Sequence, residues 1–142
     1  MPRTWLFAAS LTLLVAPSAL ADKGKKPQLE PYNWRVTVRN EGTKEEKLIK
    51  ATDAPLTVDV PYRSIRCVLE KAKTEQTAED TTETRALTCS PAALFKETGN
   101  NGMETHCNRT KETGRTGSAT KDFPIYDEKM RTVFTVTVQC GS

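Results

Sequence analysis

The sequence predicts an all-β chain: a small antiparallel β-sandwich or barrel-like domain with two disulfides and one short helix near 91–98. Three observations carry this. Short stretches alternate apolar and polar residues with a period of two, the pattern of half-buried strands. Turn residues separate these stretches at near-regular spacing, which favours hairpins packed as two layers. The chain also holds four cysteines, an even number, all of them after an export-type N-terminus.

The N-terminus comes first because it changes how the rest is read. Met1–Ala21 has a basic start at Arg3, an apolar stretch from Trp5 to Ala16, and Ala19-Leu20-Ala21 at its end. That is the order of a cleaved secretory signal peptide ending in small residues. Its apolar stretch is too short to cross a bilayer core of about 30 Å as a helix. Residues 1–21 are therefore expected to leave, 22–31 to form a flexible charged leader, and 32–142 to form a single β-domain. The leader carries Lys23, Lys25 and Lys26 close together, and a solvated terminus is its expected state.

Trp34, Val36 and Val38 alternate with Arg35, Thr37 and Arg39 in a first strand that ends at the turn Asn40-Glu41-Gly42. Lys47–Ala51 is a second, short strand. Leu56–Tyr62 alternates again; Pro61 lacks an N–H and either ends this strand or marks an edge. Ile65–Lys71 follows, with Ile65, Cys67 and Leu69 on one face. Thr74–Thr84 holds nothing apolar larger than Ala78 and is expected to be an exposed loop or hairpin tip. In the next strand, Arg85–Cys89, an antiparallel register that pairs Cys67 with Cys89 also pairs Leu69 with Leu87. Ser90-Pro91 opens a helix expected over 91–98, with Ser90 as N-cap and Gly99 as the stop; a strand is the competing reading. Asn108–Lys121 is polar and contains glycine, a second long connection. The last strand, Thr132–Cys140, turns Phe134, Val136, Val138 and Cys140 to one side. Such a β-prone, weakly charged strand is hazardous at an edge, so it is expected inside a sheet.

Cys67, Cys89, Cys107 and Cys140 form no C-x-x-C, which removes the zinc-ribbon and thioredoxin-like motifs. Two pairings fit the inward phase. One is Cys67–Cys89 with Cys107–Cys140. The other is Cys89–Cys107 with Cys67–Cys140, favoured because direct cross-strand neighbours often suit the disulfide torsion poorly. After Ala21 only 20 residues are Leu, Ile, Val or Phe, roughly a sixth of that segment and a thin core. Chains of this kind often rely on disulfides. The immunoglobulin signature sets a Trp between paired cysteines; here Trp34 precedes every Cys.

The same residues bear on function. A formal charge of +3 is small for a nucleic-acid binder. A single His excludes sites built from several imidazoles. Glu104-Thr105-His106-Cys107 is the one cluster of acid, imidazole and sulfur. Neighbours on a strand point to opposite faces, which works against a nucleophilic pair. There is no G-x-S-x-G elbow, phosphate loop or calcium loop. The acidic pairs Glu45-Glu46, Glu79-Asp80 and Asp127-Glu128 fall in expected turns. Asn108-Arg109-Thr110 is a glycosylation sequon. Thr numbers 19 after Ala21, and the outward residues Thr37, Thr57, Thr135 and Thr137 are candidates for a flat polar surface.

These readings lead to a secreted or periplasmic, non-enzymatic binding or interaction module of the cell envelope or extracellular space. Its expected partner is an envelope or extracellular protein or glycan, not nucleic acid, and the chain does not span a membrane after cleavage. No catalytic residue, cofactor or metal site is expected. The loops Thr74–Thr84 and Asn108–Lys121 are the expected contact elements. The alternative is an inhibitor of a secreted hydrolase, which needs only a rigid loop and no chemistry of its own.

Overall fold

A computed structural model describes residues 28–141. The expected signal segment 1–21 and most of the leader lie outside the described residues. The described chain is almost entirely β, with nine strands in two antiparallel sheets. One sheet, in the order β2-β1-β9-β8, contains β1 (Arg35–Asn40), β2 (Glu46–Lys50), β8 (Ala119–Tyr126) and β9 (Thr132–Cys140). The other runs β3-β4-β6-β7 and holds β3 (Leu56–Val60), β4 (Ile65–Leu69), β6 (Asp80–Ser90) and β7 (Gly102–Thr110). A short β5 (Lys73–Gln76) shares the β4 side of β6.

The inward phases follow the alternation. Val36, Val38, Val58, Val60, Ile65, Leu69, Leu87, Val136 and Val138 are buried between the sheets. Strand β9 lies between β1 and β8, so its ladder groups are paired on both sides. Edge strand β2 presents Lys47 opposite Val38, in the inward phase; an inward charge on an edge discourages pairing with another chain. Edge strand β8 carries Pro124, which cannot donate to a new neighbour.

The disulfides are Cys67–Cys89 and Cys107–Cys140, which corrects the favoured pairing. The ladders give the reason. Cys67 lies opposite Cys89 across β4 and β6, with Leu69 opposite Leu87. Cys107 lies opposite Glu83, six residues along β6 from Cys89, a span of about 20 Å in a strand. No bridge reaches that far. Cys107–Cys140 instead ties β7 of one sheet to β9 of the other, at a Cα–Cα distance of 6.3 Å.

The helix expected over 91–98 is a short 3-10 turn, Ala92–Phe95, with no side-chain cap. Ser90 is the last residue of β6, opposite Arg66, and its hydroxyl donates to the Arg66 carbonyl. It is therefore unavailable as an N-cap. Phe95 drops into the core against Phe123, ring centroids 5.8 Å apart. Gly99 does stop the turn, at φ +69°.

Thr74–Thr84 forms a hairpin, with only residues 77–79 between β5 and β6. Threonine favours strands without apolar alternation, which hides these strands in the sequence. Between Leu69↔Leu87 and Lys73↔Thr84, three residues of the β4–β5 side face two of β6, a β-bulge at Glu70–Ala72.

The bulge sits over a buried cation. Arg85 shares the inward phase of Leu87 and Cys89 and is 2% exposed. Its Nε donates to the Glu70 carbonyl at 2.8 Å, Nη1 to Thr52 at 2.7 Å and Nη2 to Ala54 at 3.0 Å. Its guanidinium also lies 6.0 Å from the Trp34 ring centroid. Burial pulls its pKa down, and the charges of Glu83 and Asp53 oppose that. Opposite it on β7, Thr105 is 3% exposed, and its hydroxyl has no hydrogen-bond partner among the described residues.

Two outcomes are expected from urea unfolding. Arg85→Met keeps the aliphatic stem but strands three carbonyls, and should cost about 3 kcal/mol or more. Thr105→Val removes an unpaired buried hydroxyl, and should be neutral or add up to about 1 kcal/mol.

Candidate functional site

The connections fall at two ends of the sandwich. At one end the connecting segments are tied to one another by hydrogen bonds. Glu30, from the end of the leader, donates its N–H to Gly114 and accepts from the N–H of Thr116 with its carboxylate. Arg109 lies over the Tyr32 ring at 4.7 Å and donates to the Glu30 carbonyl. Tyr32 donates to the Thr81 carbonyl, and Trp34 Nε1 to Glu83 at 2.8 Å. The Lys111 N–H donates to the Glu79 carbonyl, fastening the β7–β8 connection to the β5–β6 turn. Of the two segments expected as contact loops, Thr74–Thr84 is mostly strand, whereas Asn108–Lys121 keeps a connection at 111–118 that is bound to the β5–β6 turn.

The opposite end is open. Here the β3–β4 turn, the 3-10 segment and the β8–β9 tip surround a cleft of about 390 Å³. Ile65, Phe95 and Ile125 close its base, and Tyr62, Leu94 and Tyr126 line it half-buried. Arg63, Lys96, Glu97 and Glu128 stand at the rim with Met130, which is 49% exposed.

Backbone conformation marks this end. Lys44, Arg63, Ser64 and Met130 have φ of +67°, +53°, +55° and +61°. All four lie in hairpin turns of this end; Asn33 (φ +55°) lies at the other. Tyr62–Ile65 is a turn with both central residues left-handed, closed by the Ile65 N–H on the Tyr62 carbonyl. Asn-Gly is the usual choice in such a turn; here it is Arg63-Ser64. Met130 similarly takes a left-handed place that normally goes to glycine. Such strain clusters at functional sites.

The β8–β9 tip is stiff. Asp127 Oδ1 accepts from the N–H groups of Lys129 and Arg131, both at 2.9 Å, and Oδ2 from Arg131 Nε at 3.0 Å. The Asp127 N–H donates to the Arg131 carbonyl, and the Met130 N–H to that of Asp127. These bonds hold the Asp127 carboxyl below its usual pKa, the Arg131 N–H contributing most.

The chain matches no known protein-family model, no curated protein and no solved structure.

The other sequence candidates are separated. His106 is exposed, with Nδ1 2.7 Å from the Thr84 hydroxyl, while Cys107 points inward and is bonded to Cys140. The Cys107 sulfur is therefore a half-cystine, not a thiolate. Among the described residues, no three His, Cys, Asp or Glu side chains group as metal ligands. Asn108 is exposed, and its side-chain oxygen accepts from the Thr82 hydroxyl at 2.6 Å. Thr37 and Thr137 face each other across β1 and β9, and Thr137 donates to Asp122. Thr57 lies in the other sheet, so the four threonines do not form one surface.

The cleft was not visible in the sequence. Ile65 and Ile125 register as core, and nothing in their spacing says that they meet beneath Tyr62 and Leu94. Long side chains where turns usually hold Gly or Asn were the one available signal.

A pH dependence follows from Asp127. A carboxyl with a lowered folded pKa stabilises the fold above its unfolded pKa, and this is lost as pH falls through the folded value. Stability should therefore drop below about pH 4. Asp127→Asn, which keeps one acceptor oxygen, should lose less over that range. Thermal unfolding of both proteins from neutral pH to about pH 2 checks this.

Proposed function

We propose that this chain is an exported, non-enzymatic binding module, acting in the cell envelope or extracellular space. The signal-type segment 1–21 and the two disulfides support export. The open cleft carries the binding reading. Half-buried Tyr62, Leu94 and Tyr126 and the exposed Met130 gather on a two-disulfide scaffold, beside the left-handed residues Arg63 and Ser64, with Met130 itself left-handed. Tyr, Met and Arg are favoured at recognition surfaces, and rigid turns lose little entropy on binding. A rim of both charge signs over an apolar base suits a protein partner better than a polyanion.

A second reading, inhibition of a secreted hydrolase, is favoured by the β8–β9 tip, whose internal hydrogen bonds leave Met130 projecting. Stoichiometric inhibition in a panel of secreted hydrolases, lost on Met130→Asp, would select it.

Two outcomes test the main proposal. The protein recovered from its host should have the mass of Asp22–Ser142 less two hydrogens per disulfide; an uncleaved chain with alkylatable thiols would overturn export. A partner captured from the host's extracellular or envelope fraction should bind Leu94→Asp at least about tenfold more weakly (about 1.4 kcal/mol), with folding retained. Equal binding would remove the cleft from the recognition surface.

A further inference from the structure

The chain contains one Asn-Gly step, Asn101-Gly102. Asparagine is among the thermally labile residues, and most so before glycine, where no side chain shields the following nitrogen. Once that nitrogen has given its proton to a base, it attacks Asn101 Cγ. The new C–N bond closes a five-membered imide, and the side-chain nitrogen takes a proton and leaves as ammonia. Water then opens the ring at either carbonyl, giving Asp or isoAsp. In sum, an amide and water become an acid and ammonia.

The fold needs both residues. Gly102 opens β7 opposite Thr88, and a Cβ there would stand 2.5 Å from the Leu87 carbonyl oxygen. Only glycine allows so close an approach. Asn101 closes the end of β6: its carbonyl accepts from the Cys89 N–H at 2.7 Å, and its Nδ2 donates to the Cys89 carbonyl at 3.1 Å.

The same contacts obstruct the reaction. The Gly102 N–H, whose proton must go first, donates to Asn100 Oδ1 at 3.1 Å. Asn100 is itself held, since its carbonyl accepts from the Thr98 hydroxyl at 3.2 Å. The bond from Nδ2 to the Cys89 carbonyl keeps Cγ from turning toward the Gly102 nitrogen. Cys89 in turn is fixed by its bridge to Cys67.

We infer that Asn101 is a latent deamidation site, held closed by the bridged fold and opened when a thiol or phosphine reductant cleaves the bridges. The reductant is oxidised and the sulfurs become thiols. Each bridge contributes stability comparable with that of a small domain, so the strand end opens with their loss. The modification runs one way. An acid at this position has no N–H for the Cys89 carbonyl, and isoAsp adds a backbone carbon beside the Gly102–Thr88 pair. This site is independent of the cleft and of what binds there.

Peptide mapping by mass spectrometry, after incubation of the purified protein at mildly alkaline pH, tests this. Asn101 should deamidate at least about tenfold more slowly with the bridges intact than after reduction and alkylation, the factor for about 1.4 kcal/mol of opening free energy. With the bridges intact, Asn100→Ala should speed the reaction several-fold, because the Gly102 N–H loses its acceptor. Asn100→Asp keeps an acceptor oxygen and should stay slow. Equal rates in the intact and reduced chains, or a folded Asn100→Ala protein as slow as the parent, overturn the proposal. Hydrogen exchange gives a check that needs no variant: a Gly102 amide that exchanges as fast in the intact protein as in the reduced chain also overturns it.

Discussion

The Arg85 guanidinium joins β6 to the β2–β3 crossover, which no strand ladder connects to it. Its three hydrogen bonds reach the β2–β3 crossover at Thr52 and Ala54 and the bulge carbonyl of Glu70. The crossover carries the chain from one sheet to the other, so this cation anchors the two sheets near Trp34. A buried charge is costly without partners and must take every acceptor in reach. The bulge has a matching role: the extra residue at Glu70–Ala72 bends the β4–β5 side away from a regular ladder. This turns the Glu70 carbonyl to Arg85.

The disulfides act at different levels. Cys67–Cys89 reinforces two strands already paired in one sheet, whereas Cys107–Cys140 crosses between sheets. Each closes a loop whose loss of freedom in the unfolded chain is worth roughly 2–4 kcal/mol. In a fold with so few large aliphatic residues, that is comparable with the net stability of a small domain. The covalent framework lets one end stay open and hold strained turns.

The ends divide the work. At one, Glu30, Tyr32, Trp34, Arg85 and Arg109 exchange hydrogen bonds and ring contacts across the sheets. At the other, polar satisfaction is local to each turn, as at Asp127, and the apolar residues between the turns are left half-covered.

Much of this was legible in the sequence. Period-two alternation from Trp34 to Val38 and from Phe134 to Cys140 identified strands and their inward faces, because burial on one side of a pleat demands it. The strand register that sets Cys67 opposite Cys89 and Leu69 opposite Leu87 was also readable, although the sequence favoured the other disulfide pairing. Arg85 shares the parity of Leu87, so its inward phase was readable, but its three acceptors come from segments distant in sequence. A hairpin tip was one of two readings for Thr74–Thr84, but its paired strands stayed hidden because a threonine-rich strand without a buried face leaves no alternation. The disulfide partners, the cleft and the shared end of Lys44, Arg63 and Met130 were decided by tertiary structure alone. Alternation reports which side of a strand is buried; only the order of strands in two sheets says what lies across from it.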